Sequence, residues 1–127
     1  MEDISMDKII DFYKGFEGEG ETQFILQLKD KTKTIVKIWD GFVDDIMDKI
    51  EPEANGWTGL AYYYNLDEGW FDDSPWMIPS IEEALDQFRQ VENATFRFEK
   101  TQDVIKEICN LLAIASETHC DAFIAKE

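Results

Sequence analysis

Apolar residues recur with a helical period near the start of the chain. Ser5 can cap the first turn of a helix, and Gly15 is a typical residue at which a helix ends. Between them, apolar side chains follow the i, i+3, i+4, i+7 spacing of one buried helix face. These apolar positions are Met6, Ile9, Ile10 and Tyr13. The pattern predicts a first helix between Ser5 and Gly15.

Two segments with a period of two follow, and this period is typical of β-strands. The apolar face of residues 22–28 consists of Phe24, Leu26 and Leu28. In residues 33–39, Val36 and Ile38 lie on one face. The polar residues 29–31 separate the two segments, so we expect an antiparallel hairpin with its turn at these residues.

The helical period returns after the hairpin. We expect a second helix to begin at Asp40 or Gly41 and to end before Pro52, because proline cannot continue a helix. Its apolar positions are Phe42, Val43, Ile46, Met47 and Ile50. Residues 57–64 then run from Trp57 to Tyr64 with large side chains on both faces, which predicts a third strand.

The last third of the chain predicts two helices with a short strand between them. Ser80 and Glu83 have the spacing of a capping box, which opens a helix. Its apolar stripe is Ile81, Ala84, Leu85, Phe88 and Val91. Residues 95–98 predict a short fourth strand, and Thr101 is expected to cap the last helix. The apolar stripe of that helix is Val104, Ile105, Ile108, Leu111, Leu112 and Ala115.

The predicted order is helix, strand, strand, helix, strand, helix, strand, helix. Four strands and about four flanking helices indicate an α+β fold with a mainly antiparallel sheet. A chain of 127 residues is normally one domain, and neither an internal repeat nor an interdomain linker is visible. We therefore expect residues 1–127 to form a single domain.

The charge of the chain excludes several classes of partner. It has 28 Asp and Glu against 12 Lys and Arg, a formal net charge of −16. This field repels nucleic-acid phosphates and anionic membranes, so we expect no direct contact with either. Because 44% of the residues are hydrophobic, the chain can build a core and is no disordered acidic tail.

We expect neither a targeting segment nor a membrane-spanning segment in this chain. Its first residues are acidic, unlike the basic start of a secretory signal, and its longest apolar run covers only residues 111–115. Cys109 and Cys120 do not suggest a disulfide framework. We therefore expect a protein of the reducing cytoplasm.

Residues 65–76 combine carboxylates with large aromatic rings and contain no Lys or Arg. Rings that anchor interfaces are often surrounded by charges that attract the partner, so this segment is a candidate binding surface. An equally weighted alternative is that the rings pack over the core as a lid and the carboxylates are solvated. The candidate residues are Asp67, Glu68, Trp70, Phe71, Asp72, Asp73 and Trp76.

A second acidic segment lies between the first predicted helix and the hairpin. Glu17, Glu19 and Glu21 alternate with glycine, which predicts a solvated, flexible connector. These three carboxylates form a second candidate surface for a cationic partner.

Candidate catalytic or metal-binding chemistry is sparse. His119 is the single histidine, so a site with several histidine ligands is excluded. No phosphate-binding glycine motif is present, because the glycines at 15–20 lack the required lysine. The carboxylates of residues 67–73 could bind Ca²⁺ or act in pairs on a glycoside, but their spacing matches no EF-hand. We expect no enzyme activity, no cofactor and no metal.

Two stretches resemble a known group of bacterial proteins. One is residues 56–64, with Trp57 in a predicted strand, and the other is residues 79–88, with Pro79, Ser80 and the Glu-Glu-Ala-Leu helix opening. In these stretches, in size and in acidity, the chain resembles the cytoplasmic immunity proteins of polymorphic toxin and contact-dependent growth inhibition systems. The resemblance implies that it binds one cognate toxin and blocks its active site or a nearby surface. It transfers no site residue, because these families share no functional motif.

The charge of the chain suggests which toxin fits it. Nucleases of RNase type are basic because they hold phosphates, and an acidic inhibitor can occupy the same groove. We therefore expect the carboxylates of residues 67–73 to pair with toxin Lys or Arg around Trp70. An acidic adaptor or regulatory domain is the alternative. A small carboxylate-based enzyme or a Ca²⁺-binding module ranks below it.

Overall fold

A computed structural model describes residues 7–66, 69–71 and 74–126. In this part of the chain the strands are β1 (Lys8–Phe12), β2 (Glu21–Gln27), β3 (Lys33–Trp39), β4 (Trp76–Met77) and β5 (Asp121–Lys126). The helices are α1 (Asp40–Met47), α2 (Gly59–Asn65), α3 (Ile81–Val91) and α4 (Thr101–Thr118), and a 3₁₀ turn covers Gly69–Phe71. Among these residues, no helix combines the length and the apolar character needed to cross a membrane.

The strands form one mixed sheet in the order β1-β3-β2-β5-β4. β1 runs parallel to β3, and the other neighbouring pairs are antiparallel. The predicted α+β class is confirmed, and the number of helices among the described residues is the four predicted, although only three of them lie where a helix was predicted. The sheet is mainly antiparallel as predicted, but it has five strands instead of four and one parallel pair.

The β2–β3 hairpin forms where the alternating pattern predicts it. Its turn is closed by backbone bonds from Leu28 N to Thr32 O (2.9 Å) and from Lys31 N to Leu28 O (2.9 Å). The Asp30 carboxylate accepts from the Thr32 amide (2.9 Å) and hydroxyl (2.6 Å), so the side chain holds the turn as an Asx motif does.

The core lies between the sheet and the helices. Phe24, Leu26, Val36 and Ile38 point from β2 and β3 into this layer and are at most 1% exposed. The predicted apolar stripe of α4 is buried against them along its whole length. The stripes of α1 and α3 are buried in the same cluster, which confirms both helices. The Ser80 hydroxyl caps α3 by accepting from the Glu83 amide at 3.2 Å.

The first predicted element is wrong: residues 8–12 form strand β1. The strand pairs with β3 from Lys8↔Thr34 to Phe12↔Ile38 and directs Ile10 and Phe12 toward the core. A short run with two adjacent isoleucines fits a strand as well as a helix, and the backbone of β3 supplies the deciding hydrogen bonds.

The third predicted strand is also wrong, because residues 59–65 form helix α2. Leu60 and Ala61 are buried, and Tyr64 packs on the core one turn later. Gln87 of α3 fixes the start of the helix. Its amide accepts from Ala61 N at 3.2 Å and donates to Thr58 O at 2.8 Å.

Residues 95–98 form no strand, and the C-terminal strand β5 was not predicted. The amides of Arg97 and Phe98 donate to the carboxylate of Asp45 in α1, at 2.9 and 3.0 Å. Thr101 is the first residue of α4 and does not cap it, since its hydroxyl donates to Asp45 at 2.7 Å. β5 lies between β2 and β4, with Ala122 and Ile124 in the core.

Candidate functional site

The acidic and aromatic segment 65–76 contains one tryptophan in the core, Trp70, and one that is half-buried, Trp76. Asp67, Glu68, Asp72 and Asp73 lie outside the described residues, so their partner-binding role stays a prediction. The 3₁₀ turn includes Phe71, but its side chain is outside the described part as well.

The role predicted for Trp70 needs correction. Its indole is 1% exposed and makes edge-to-face contacts with Phe24 (6.3 Å between ring centroids) and Tyr64 (5.8 Å). A side chain at this depth cannot be the exposed anchor of an interface in this conformation. The packed alternative therefore holds for Trp70.

Trp76 is half-buried in β4 and remains partly accessible. Its ring lies 4.8 Å from that of Tyr63, and Gly69 passes close beneath it. A Cβ at Gly69 would approach the indole to 2.8 Å, and the residue has φ +71°, so glycine fits this position on both counts. The structure leaves the predicted interface role of Trp76 open.

A pocket of about 240 Å³ borders Trp70 and contains an ion pair. Asp40, the first residue of α1, accepts from Lys126 Nζ at 2.7 Å and from the Thr22 hydroxyl at 2.6 Å. Lys126 Nζ also donates to the Thr22 oxygen at 3.0 Å. Together these bonds connect the ends of β2 and β5 to the start of α1.

Tyr64 and Asp44 also line this pocket. The phenol donates to the Asp44 carboxylate at 2.5 Å. Burial and this neighbouring carboxylate raise the pKa of Tyr64 well above its usual range, so Tyr64 remains a neutral donor. The pocket has two carboxylates against one ammonium, a formal charge of −1, which suits a cationic group of a partner.

The acidic connector between β1 and β2 is a loop with several contacts of its own, and its predicted flexibility stays a prediction. Phe16 stacks on Trp39, with ring centroids 4.2 Å apart and planes at 4°. The Trp39 indole donates to Glu19 Oε1 at 2.9 Å, and the Tyr13 hydroxyl donates to the Glu19 backbone oxygen. The Gly15 amide donates to Glu17 at 3.0 Å and lowers the pKa of that carboxyl.

The three connector carboxylates differ in accessibility. Glu17 and Glu19 are exposed, whereas Glu21 is half-buried in β2. Glu21 accepts from Gln23 Nε2 at 2.9 Å and lies 3.9 Å from Lys37 Nζ. Glu17 and Glu19 therefore remain candidates for a cationic partner, and Glu21 is already engaged within the sheet.

An acidic groove that the sequence did not indicate lies between α3 and the segment after α1. It is open, has a volume of about 720 Å³, and has Ile50 and Val91 among its lining residues. Its charged lining consists of one lysine, Lys49, and five exposed carboxylates: Glu51, Glu53, Glu82, Glu83 and Asp86. The sequence shows the polar face of α3, which forms one side of the groove. It does not show that the segment after α1, about thirty positions earlier in the chain, forms the other side.

Groups that could support catalysis are few among residues 7–66, 69–71 and 74–126. No three His, Cys, Asp or Glu side chains in these ranges lie close enough together to hold a metal ion. His119 follows α4 in a left-handed conformation (φ 56°), and Cys109 and Cys120 are buried free thiols. Comparison with protein-family models, curated proteins and solved structures finds no significant match to this chain.

Proposed function

We propose that this chain is an immunity protein that binds a cognate, basic nuclease toxin of RNase type and neutralises it in the cytoplasm. The acidic groove carries this proposal. It presents five exposed carboxylates against one lysine, in a chain of net charge −16. A groove lined by one sign of charge concentrates field lines and attracts partners of the opposite sign.

The groove suits a surface that normally holds RNA. An RNase binds phosphates through Lys and Arg, so a row of carboxylates can take the place of the phosphates. Glu82 and Asp86 are one helical turn apart on α3, and Glu51 projects from the facing segment. Occupying the toxin's cationic groove would exclude its substrate and so inhibit it.

Other surfaces can extend the contact. The exposed Glu17 and Glu19 of the connector are available to a cationic partner, and Trp76 is partly accessible. Asp67, Glu68, Phe71, Asp72 and Asp73 also stay part of the proposed interface as predictions from the sequence. Glu21 is left out because its carboxylate is engaged within the sheet. Trp70 is left out because it belongs to the core.

Binding to the adjacent toxin is the first test of this proposal. The toxin domain encoded immediately upstream would be purified and titrated with this protein by calorimetry at 50 and 300 mM salt, and its RNase activity measured in parallel. We expect tight binding that weakens with salt, because exposed charges are screened, together with loss of RNase activity. Absence of binding to the upstream gene product would overturn the immunity proposal in favour of an adaptor function.

A charge-neutralised variant locates the interface. Changing Glu51→Gln, Glu82→Gln and Asp86→Asn removes three groove charges with almost no change in side-chain size. At about 0.5 kcal/mol for each exposed pair, we expect an affinity loss of about ten-fold, mostly in the association rate. The matched control is Glu99→Gln, Asp103→Asn and Glu117→Gln, three exposed positions outside the groove.

The two triple variants separate a local interface from a general charge effect. Equal losses in both would mean that net charge alone attracts the toxin. No loss in either would exclude the groove, and the same experiment on Asp67, Glu68, Asp72 and Asp73 would then test the segment favoured by the sequence.

A further inference from the structure

One face of the sheet carries a continuous apolar row. The strand register places one residue from each strand side by side, through the pairs Ile9↔Ile35, Ile35↔Ile25, Ile25↔Phe123 and Phe123↔Met77. Their neighbours along each strand, including Val36 and Phe24, point to the opposite face and form the core.

This row is not covered by the described helices. All four helices contribute to the single core cluster on the other face, and none of the five row residues belongs to that cluster or packs on it. Ile9 is 60% exposed and Met77 is 50% exposed, at the two edges of the sheet. The open face of an antiparallel sheet is normally polar, so a row of five apolar residues across it requires an explanation.

Polar residues border the row on both sides. Asp11, Lys37 and Gln23 lie side by side on one flank, and Lys33, Gln27 and Asp121 lie on the other. An apolar centre with a polar rim is the arrangement of protein interfaces. We call this surface, the apolar row with its two flanks, the open sheet face.

The charge of the open sheet face differs from that of the rest of the molecule. With Asp7 and Glu21, which lie on the same side at its border, its two lysines stand against four carboxylates, since Asp11 and Asp121 lie in the flanks; this gives −2 on a chain of −16. A basic toxin therefore gains little electrostatic attraction here. Two acidic copies, in contrast, repel each other less when they meet through a surface of low net charge.

We propose that a second copy of this chain covers the open sheet face and forms a symmetric dimer. The two-fold axis would run along β2, the central strand, so that β3 of one copy lies over β5 of the other. Ile25 then meets Ile25 of the second copy, and Ile35 meets Phe123. Lys33 then faces Asp121 of the second copy, and Asp121 faces Lys33 of the second copy. The same flank of the two copies is therefore complementary in charge.

The area of the open sheet face indicates how tightly two copies can associate. The five strands have 5, 7, 7, 2 and 6 residues, and at about 3.3 Å per residue and about 4.8 Å between strands they cover roughly 430 Å². Two such faces bury roughly 860 Å², which is below the range of stable specific interfaces, so the dimer is weak. Since the rest of each copy repels the other, added salt strengthens the dimer, whereas it weakens binding to a basic toxin.

Analytical ultracentrifugation of the whole chain tests the dimer directly. Sedimentation between roughly 5 and 500 μM, at low and high salt, should show a concentration-dependent dimer in the range expected of weak interfaces. Ile9→Lys with Met77→Lys should weaken it at least ten-fold, and both sites are exposed, so the fold is retained. Ile114→Lys on α4 is the matched control, because Ile114 is 44% exposed and lies away from the face.

A charge exchange tests the proposed symmetry. Lys33→Asp places like charges opposite each other across the interface and should weaken the dimer, and adding Asp121→Lys should restore it. Within one copy these residues are separated by β2, so they do not pair directly. A chain that is monomeric at every concentration, or a dimer that Ile114→Lys weakens as much as the face variants, would overturn the proposal.

Discussion

Asp45 is a buried carboxylate on which the packing of two helices depends. It lies in α1 and is 2% exposed. It accepts from the amides of Arg97 (2.9 Å) and Phe98 (3.0 Å) and from the hydroxyl of Thr101 (2.7 Å). These three donors belong to the start of α4 and the residues before it, so the carboxylate connects α1 to α4 over more than fifty residues of sequence.

Removing this carboxylate should be costly. Asp45→Ala leaves two amides and a hydroxyl without their acceptor in a buried place, and an unsatisfied buried donor costs about 1–3 kcal/mol. Because water can enter and the losses are not additive, we expect about 3–5 kcal/mol in total. Asp45→Asn retains one acceptor oxygen but directs an NH₂ group toward donors, and should cost about 2–3 kcal/mol.

Urea unfolding followed by tryptophan fluorescence measures this loss as a lower midpoint at unchanged slope. Asp48→Asn is the matched control, since Asp48 is in the same part of the chain and loses the same charge. Its side chain is 57% exposed and lies 3.4 Å from Arg97 Nη2, an exposed pair worth less than about 1 kcal/mol. Equal destabilisation by Asp45→Asn and Asp48→Asn would refute the reasoning.

The same variant has a defined pH dependence. Burial raises the pKa of Asp45, but the bonds from Phe98, Arg97 and Thr101 outweigh it, so the pKa is lowered overall. A carboxyl with a lowered pKa stabilises the fold above its unfolded value, about 3.9, and loses this contribution as the pH falls through the folded value. The difference between wild type and Asp45→Asn should therefore be constant from pH 7 to about 5 and shrink below about 4. A difference that grows on acidification would contradict this.

Three further predictions concern single side chains. Tyr64→Phe should cost about 1 kcal/mol near pH 7, since it removes the bond to Asp44. Because the folded pKa of Tyr64 is raised, this contribution is present below pH about 10 and is lost as the pH rises further, which urea unfolding at pH 8 and 10.5 would show. Burial raises the pKa of Cys109 to about 11, so Ellman's reagent at pH 8 should modify it only as fast as the protein unfolds. Trp70→Ala should cost about 3–5 kcal/mol in thermal unfolding, and Trp76→Ala clearly less, because Trp76 is only half-buried.

The elements predicted correctly are those whose signal is local. α3 begins at a capping box, and its amide-to-hydroxyl bond forms between residues three positions apart. The apolar stripe of α4 spans about three turns, long enough for the helical period to exceed chance. The β2–β3 hairpin likewise depends on a turn that Asp30 holds through its own neighbours.

The elements predicted wrongly depend on distant partners. β1 is a strand because the edge of β3, about 26 residues later, accepts and donates its backbone bonds. Likewise, the start of α2 is supported by Gln87 of α3, which accepts from the amide of Ala61 in the first turn, a contact over 26 residues. A short apolar run fits both the helical period and the strand period. Contacts with distant parts of the chain then determine whether it forms a helix or a strand, and these contacts cannot be read from one sequence.

The aromatic residues of the acidic segment illustrate the same limit. A tryptophan buries about 150–250 Å², worth about 4–6 kcal/mol at 25 cal/mol/Å², and the chain gains this only where a pocket exists. Phe24 and Tyr64 build that pocket for Trp70 from two different elements. From the sequence we could predict an acidic chain. We could not predict that Trp70 is buried in the core or that an acidic groove lies beside α3 on the surface.

The acidic groove and the open sheet face have opposite electrostatics on one small molecule. The groove has five carboxylates and one lysine, whereas the open sheet face with its border has four carboxylates and two lysines. A basic partner and a second acidic copy therefore have no reason to compete for the same surface. Because salt weakens the first association and strengthens the second, one salt titration of a mixture would separate them. Groove variants should then leave the dimer unchanged, and sheet-face variants should leave toxin binding unchanged.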